Sequence, residues 1–368
     1  MSTSYFSGNN KTFVCTLLLL GVFYSTLISA QNIQLDKGQQ IDSVAVYIST
    51  GKSDSLSNTK RLDALLKGVQ YAEKIKVATE KSKAFSRLSL ALYQHGDSLL
   101  FRQTNRTAVA LSKQVKDSIT LAEAYWDLGA FYHRISVRDS AYYTYSQAQQ
   151  LYEAKKNPSL SGRMFLGMAF QQEAVKDYVG SEANTILAIQ RLKPINDFKR
   201  LYTCYNLLGI VTKDLENYDK AIEHYNEAVF YAKKLDDNKN ELLFIKNNLG
   251  VVYQSKKDFA RAIDNFEAIL SADSIKIKNA QLYSIVLNNL AFSKIQLKDT
   301  FEVKNLIEES IRIKDSLGLH SSTAMCYMSL SEYYWFKNDT VASISAASKS
   351  RAISLESSNN EQLLETLE

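Results

Sequence analysis

The chain has 368 residues, of which 45% are hydrophobic and 23% charged, a balance that excludes an intrinsically disordered polypeptide. Its 44 basic and 39 acidic residues are spread along the sequence, and no Lys/Arg block suited to a phosphate backbone occurs, which disfavours a nucleic-acid partner. Only two prolines and 13 glycines are present, and this scarcity favours long helices, which both residues interrupt.

The amino terminus has the layout of a secretory leader. Residues 13–30 are uncharged and largely apolar, Lys11 precedes them, and the small residue Ala30 is followed by polar sequence. This pattern predicts a signal peptide over residues 1–30, cleaved after Ala30. Ile28 stands where a small residue is preferred, and 18 apolar residues can just span a bilayer, so an uncleaved anchor is the alternative.

A leader of this kind predicts that the rest of the chain is exported. We therefore expect a protein of the periplasm or cell envelope, most simply in a diderm bacterium. Membrane contact is expected only through the leader or through a segment missing at the carboxyl end. Residues 31–57 are predicted to be an amino-terminal segment with a short helix near 39–49.

Three stretches of the sequence align without gaps. They are Tyr205–Gly209, Lys246–Gly250 and Leu287–Ala291, and their asparagines Asn206, Asn247 and Asn288 each lie 41 positions after the one before. Two equal steps are hard to obtain by chance, so they indicate an internal repeat.

Each repeat alternates small and large residues at fixed places. In the clearest unit Gly209 is followed by Ala221, Tyr225 and Ala228, with a polar break at 217–220. Small residues would sit where two helices approach most closely, and large aromatic residues would fill the gap to the next unit. Related spacings recur at Gly250, Tyr253, Ala262 and Phe266, and at Trp126, Gly129, Tyr132, Ala141, Tyr145 and Ala148.

These spacings resemble the tetratricopeptide repeat family, and the period near 40 resembles its longer-helix branch. That branch includes kinesin light chains and bacterial sensor and regulator proteins. The resemblance covers residues 58–368 and implies an all-α superhelix, a solenoid of about seven to eight antiparallel helix pairs. It also implies that the first helices of the pairs line a concave inner face.

The repeat pattern predicts the following helices. A helix at 59–76 pairs with the short segment near 39–49. The later pairs are 79–94 with 98–114, 119–134 with 139–154, 160–175 with 178–193, 198–214 with 218–235, 240–255 with 258–273, 279–296 with 299–315, and 320–336 with 340–356.

The carboxyl end is predicted to be an incomplete helix. Residues 359–364 resemble 239–243, which open a first helix, and the sequence then stops at Glu368. A helix abandoned after about two turns is a poor cap for a stacked array. We therefore expect either a longer protein, of which this chain is the amino-terminal part, or a short capping helix.

No catalytic residue, metal ligand or cofactor site is predicted. The four histidines are not spaced as metal ligands, and the sequence contains neither a glycine-rich phosphate loop nor a nucleophile elbow. His133 and His224 are expected at the helix surface or in the groove. Cys204 and Cys326 are interpreted as small buried hydrophobic residues.

The resemblance places a set of side chains on the concave face. Asn206, Asn247 and Asn288 would form a ladder whose amides could hold an extended peptide without specifying its sequence. The alternative interpretation is that these amides only join neighbouring first helices. The complete set of predicted peptide-binding residues is Asn206, Asn247, Asn288, Lys213, Phe244, Gln254 and Phe292.

Further apolar residues would face either the groove or the core. They are Trp126, Met164, Met168, Met325, Met328, Trp335 and Phe336. Some members of the family hold the carboxyl terminus of a peptide with a clamp of side chains. In this sequence only Lys213 matches that clamp, so a ligand that ends in a carboxylate is disfavoured.

The sequence thus predicts a non-catalytic scaffold that binds a protein or peptide ligand. The alternative function is the extracytoplasmic sensory region of a longer signal-transduction protein, with a histidine kinase or DNA-binding domain beyond Glu368.

Overall fold

The computed structural model describes residues 37–272 and 275–365, and the predicted leader at 1–30 lies outside them. Within those ranges the regular structure is helical and no strand is present. The α-helices are α1 Lys37–Gly51, α2 Asn58–Lys74, α3 Ala78–His95, α4 Ser98–Gln114, α5 Ser118–Arg134, α6 Arg138–Ala154, α7 Pro158–Ala174, α8 Tyr178–Leu192, α9 Phe198–Asp214, α10 Tyr218–Ala232, α11 Lys239–Ser255, α12 Phe259–Leu270, α13 Ile275–Lys278, α14 Ala280–Gln296, α15 Val303–Ser316, α16 Ala324–Phe336 and α17 Thr340–Glu365.

The helices pack as antiparallel neighbours, and the predicted all-α solenoid is confirmed. The pairs are α1 with α2, α3 with α4, and so on to α11 with α12, then α14 with α15 and α16 with α17. The short α13 lies between the sixth and seventh pairs. Two elements begin later than the sequence predicts, α15 at Val303 and α16 at Ala324, and α16 is preceded by a 3-10 turn at His320–Thr323.

A recurring three-residue connection sets the repeat length. Helices α4 to α10 begin at intervals of 20 residues, at 98, 118, 138, 158, 178, 198 and 218. The middle residue of the connection has a left-handed backbone conformation, as at Lys176 with φ of 64°, and this conformation reverses the direction of the chain. The third residue is usually Asp or Asn, and Asp177 accepts a hydrogen bond from the backbone N–H of Gly180 at 2.9 Å.

Small residues allow the two helices of a pair to approach closely. A Cβ added at Gly209 would lie 2.6 Å from the ring of Tyr225, and one added at Gly250 would lie 2.5 Å from the ring of Phe266. Both rings are buried on the partner helix. In these two pairs the alternation of glycine and aromatic residue in the sequence is therefore a steric match.

The register of α7 differs from the sequence prediction. The sequence favours Gly167 as the counterpart of Gly129. Because α7 begins 40 residues after α5, the counterpart in the structure is Ala169. The shift of two residues turns Met164 and Met168 into the core, where they are 1% and 6% exposed. Of the two places that the sequence leaves open for these methionines, groove or core, the structure shows the core, because two residues are more than half a helical turn.

The hydrophobic core is a series of clusters, each shared by neighbouring units. One of them joins α7, α8, α9 and α10 around Ala188, Leu201 and Cys204. In another the rings of Phe101 and Phe131 meet at 5.0 Å across two pairs. Cys204 and Cys326 are both free and buried, as the sequence predicts. Each unit thus depends on its neighbours to bury its apolar faces.

The last helix continues where the sequence predicts a new one. The backbone of α17 is helical without interruption from Thr340 to Glu365, so no separate helix opens near residue 359. The prediction of a break there is wrong, and sequence beyond Glu368 stays a prediction. Among the helices that the structure describes, none is both long and apolar enough to cross a membrane.

The solenoid curves around its first helices. Most successive first helices contact one another, as α9 contacts α11 and α11 contacts α14, whereas successive second helices do not come into comparable contact within the described chain. Helices on the inner side of a curved stack lie closer together. The inner face is therefore formed by the first helices, in agreement with the arrangement that the resemblance implies.

Candidate functional site

The candidate site is the inner face formed by the first helices, α3, α5, α7, α9, α11, α14 and α16. Its central part carries the predicted asparagines. The Nδ2 of Asn248 donates to the Oδ1 of Asn206 at 2.9 Å, and the Nδ2 of Asn289 donates to the Oδ1 of Asn247 at 3.2 Å. These hydrogen bonds join α9 to α11 and α11 to α14. In each of them the donor is the residue that directly follows a predicted asparagine, Asn248 after Asn247 and Asn289 after Asn288.

Asn288, the third predicted rung, does not reach the groove. Its side chain is 4% exposed, and its Oδ1 has no hydrogen-bond partner. The matching donor in α16 would be Ser329, whose hydroxyl donates instead to the carbonyl of Met325 at 3.2 Å. The ladder therefore ends at α14, and Asn288 is not available to a ligand.

Gln254 and Phe292 also make contacts between units. The Nε2 of Gln254 donates to the carbonyl of Asn289 and to the Oγ of Ser293, both at 2.8 Å. The half-buried ring of Phe292 meets Phe259 edge-on with centroids 6.3 Å apart. Both side chains stabilise the stacking of α11, α12 and α14.

Lys213 and Phe244 lie apart from the amide network. Lys213 forms an ion pair with its neighbour Asp214, and both side chains are about one quarter exposed. Glu173 of α7 lies close by, and burial together with the charge of Asp214 raises its pKa. Phe244 on α11 is exposed and has no aromatic partner among the described residues.

The amide pairs lead to a first prediction. Asn206→Ala leaves the Nδ2 of half-buried Asn248 without its acceptor, so we expect the free energy of unfolding to fall by about 1 kcal/mol. Asn248→Ala should cost a similar amount. The double variant should cost less than the sum of the two, with a coupling of about 0.5–1 kcal/mol measured by urea denaturation. Additive losses would show that this contact contributes nothing to stacking.

The carboxyl-terminal part of the inner face is apolar. Met325, Met328 and Trp335 follow one side of α16 and are 67%, 50% and 67% exposed. Trp335 also lines a pocket of about 470 Å³ between α14 and α16, together with Ile295 and Glu332. Large apolar side chains left uncovered on a concave surface are typical of a binding site.

The amino-terminal part is charged and was not predicted from the sequence. Glu123 and Asp127 lie one turn apart on α5, and burial, reinforced by the charge of Glu123, raises the pKa of Asp127 to about 7. Next to them the guanidinium of Arg163 lies over the ring of Trp126 at 4.1 Å. Only the closeness of α5, α6 and α7 creates this environment, so spacing along the chain could not reveal it.

His133 forms part of another contact between units. Its Nδ1 lies 3.0 Å from the Nε2 of Gln171 on α7 and 3.2 Å from a guanidinium nitrogen of Arg138. His224 is half-buried on α10, where burial and Lys220 lower its pKa. Neither histidine belongs to a group of three or more potential metal ligands within the described residues.

The comparisons with known proteins agree with this architecture. The tetratricopeptide repeat family matches residues 201–274, the most regular part of the array. No curated protein matches the sequence. Similar solved structures include RapI in its apo form (TM-score 0.60, 15% identity, 74% of this chain and 97% of that chain).

Two further structures share the fold. NprR in complex with its cognate peptide NprX has a TM-score of 0.52 and 13% identity, covering 84% of this chain and 87% of that chain. Aspartyl phosphate phosphatase F from Bacillus subtilis has a TM-score of 0.54 and 17% identity, covering 76% and 70%. At these identities the likeness concerns the fold alone. Residues 201–274 thus match the tetratricopeptide repeat family, and the described chain as a whole folds as a helical solenoid of the same kind.

Proposed function

We propose that this protein is a non-catalytic scaffold that binds an extended peptide or protein segment along its inner face. The observation that carries the proposal is the row of exposed apolar side chains on α16, Met325, Met328 and Trp335. Burial of such side chains by a ligand would contribute about 1.5–3 kcal/mol each. NprR, which shares the fold, was solved with a peptide bound.

The amide network supports an extended ligand. Within the described chain, Nδ2 of Asn206 and Oδ1 of Asn289 make no hydrogen bond, although the other end of each amide is engaged. Both residues are half-buried on the inner face. They offer one donor and one acceptor to a peptide backbone, so the same asparagines serve both stacking and binding in this proposal.

Peptide selection provides the test. We expect the wild-type protein to enrich peptides from a displayed random library, and Met328→Ala/Trp335→Ala to weaken their binding at least tenfold by fluorescence polarisation. The matched control is Tyr143→Ala/Val179→Ala, which removes similarly exposed apolar side chains from the second helices α6 and α8. Neither double variant should lose much stability, because all four side chains are exposed.

Two results would count against the proposal. Failure to enrich any peptide would remove the peptide-binding function. Equal binding by the groove variant and the control would move the site away from α16. The comparisons give no support to the sensory alternative, and export of the chain stays a prediction.

A further inference from the structure

The pocket between α14 and α16 contains one carboxylate beside two aromatic side chains. Its volume is about 470 Å³, and Glu332, Trp335 and Phe336 of α16 all line it. Trp335 and Phe336 are exposed, whereas Glu332 is half-buried. A ligand in this open pocket can therefore contact the two rings and the carboxylate together.

The carboxylate of Glu332 has one partner, and that partner is neutral. Its Oε2 accepts a hydrogen bond from the Nε2 of Gln296 at 3.2 Å. Burial raises the pKa of Glu332, and the hydrogen bond from Gln296 opposes that rise. Within the described residues Glu332 forms no ion pair, so its negative charge is partly desolvated without a balancing cation. A carboxylate with one bond keeps acceptor positions for further N–H donors.

Two lysines lie near the pocket without neutralising this carboxylate. Exposed Lys298, in the connection after α14, lines the pocket, yet no ion pair joins it to Glu332 in the described part of the chain, and its charge does not shift the pKa of Glu332. Lys337 donates to the Oγ1 of Thr300 at 2.9 Å instead. The position beside Glu332 is therefore open to a cation from outside the chain.

The same two residue types occur at the same spacing on α5. Glu123 and Trp126 are three residues apart, as are Glu332 and Trp335. Residues three apart are neighbours on the surface of a helix, so in each pair the carboxylate and the indole lie on one side of a first helix. The pair on α5 therefore serves as an internal comparison for the pair on α16.

On α5 both members of the pair have cationic neighbours. The guanidinium of Arg163, from the following first helix, lies over the ring of Trp126 at 4.1 Å. The charges of Lys83 and Arg87, from the preceding first helix, act on Glu123. On α16, by contrast, no cation of the described chain lies over the indole and none pairs with the carboxylate. The group missing from the second pair is a cation.

We propose that the pocket between α14 and α16 binds the cationic side chain of a lysine or arginine in the bound peptide. Glu332 supplies the counter-charge, and Trp335 and Phe336 contact the aliphatic stem and the cationic head. The inference rests on the proposed function, because the pocket belongs to the same stretch of α16, and it names the side chain that this stretch prefers.

Peptides varied at one position test the subsite. Peptides that the wild type enriches are resynthesised with Lys, Arg, norleucine, citrulline or Glu at each position, and with a free or an acetylated amino terminus. Norleucine and citrulline resemble Lys and Arg in shape but carry no charge. We expect Lys or Arg at one position to bind about fivefold more tightly than its uncharged counterpart. Added salt should reduce this preference, since it screens an exposed pair of charges.

Substitutions of Glu332 separate a charge effect from a structural one. With Glu332→Gln, charged and uncharged peptides should bind within about twofold of each other. With Glu332→Lys the preference should reverse, so that Glu is favoured at the same position of the peptide, and a merely structural role cannot produce that reversal. Glu267→Gln and Glu267→Lys, on the exposed side of α12, change the net charge equally and should keep the wild-type preference.

The outcomes distinguish the two proposals. Peptides that bind without preferring a cation, a preference that both Glu332 variants keep, or one that Glu267→Lys also reverses would overturn the subsite and leave the scaffold intact. A preference that depends on a free amino terminus would overturn the assignment to a side chain. Failure to enrich any peptide would overturn both proposals.

Discussion

Phe266→Ala should lower the free energy of unfolding by about 3–5 kcal/mol, the range for removing a fully buried aromatic ring. Phe266 is completely buried on α12, where its ring packs against the backbone of Gly250. No flexible side chain lies between the ring and that backbone, so the cavity cannot easily collapse. Guanidinium denaturation followed by circular dichroism measures the loss.

The loss should also be local. A solenoid unfolds by units, since each repeat contacts only its neighbours. Hydrogen exchange should therefore accelerate first in α11, α12 and α14, and least in α3 to α5. Phe230→Ala is the matched control, because Phe230 lies on α10 with its ring half exposed, and it should cost less than about 1 kcal/mol. Uniform acceleration along the chain would show that the array unfolds as one unit.

Gly209→Val should cost about 3 kcal/mol, although valine has a slightly better helix propensity than glycine. The added Cβ would lie 2.6 Å from the ring of Tyr225, and valine places two further methyl groups in the same space. Either α9 and α10 must separate or the ring must leave its rotamer. Thermal and urea denaturation of the variant test this expectation.

A double variant identifies the cause of that loss. Tyr225→Ala alone should be strongly destabilising, since the ring is 1% exposed. In Gly209→Val/Tyr225→Ala the new methyl groups occupy part of the cavity, so the combined cost should fall short of the sum by at least about 1 kcal/mol. Strictly additive losses would show that the valine acts through the backbone of α9 alone.

The inner face changes character along the solenoid. Around α5 and α7 it is charged, around α9 and α11 it presents amides, and around α16 it is apolar. The exposed apolar side chains thus lie towards the carboxyl-terminal end of the inner face. The row on α16 consists of the same side chains on which the proposed function rests.

Helix boundaries were largely predictable from local sequence. The predicted bounds of α3 to α9 lie within two residues of the observed ones. Asp or Asn caps such as Asp117 and Asn157 mark most of the starts, whereas α3 and α6 follow Val77 and Val137. The pairing also followed from the sequence in the units where a glycine and an aromatic residue keep one spacing, as Gly129 with Tyr145 and Gly209 with Tyr225. Where the connections lengthen, as before Val303, the predicted start was four residues early.

The sequence did not predict which side chains form hydrogen bonds between neighbouring units. The repeat indicated that Asn206, Asn247 and Asn288 occupy equivalent places, yet the hydrogen bonds run to Asn248 and Asn289, and Asn288 is buried. Which amide meets which depends on the rotation and separation of neighbouring helices. A period along the chain carries no information on either quantity.

By itself, then, the sequence determined the helix pairs, their order and the use of small residues at close contacts, because each depends on local caps and a constant spacing. Tertiary structure alone decided which side chains are free to bind. It turned Met164 and Met168 inward, left Met325 and Trp335 uncovered, and partly buried Asp127 next to Glu123, which raises the pKa of the Asp127 carboxyl. Burial and electrostatic environment arise only when several helices meet, so they cannot be inferred from any one segment of the chain.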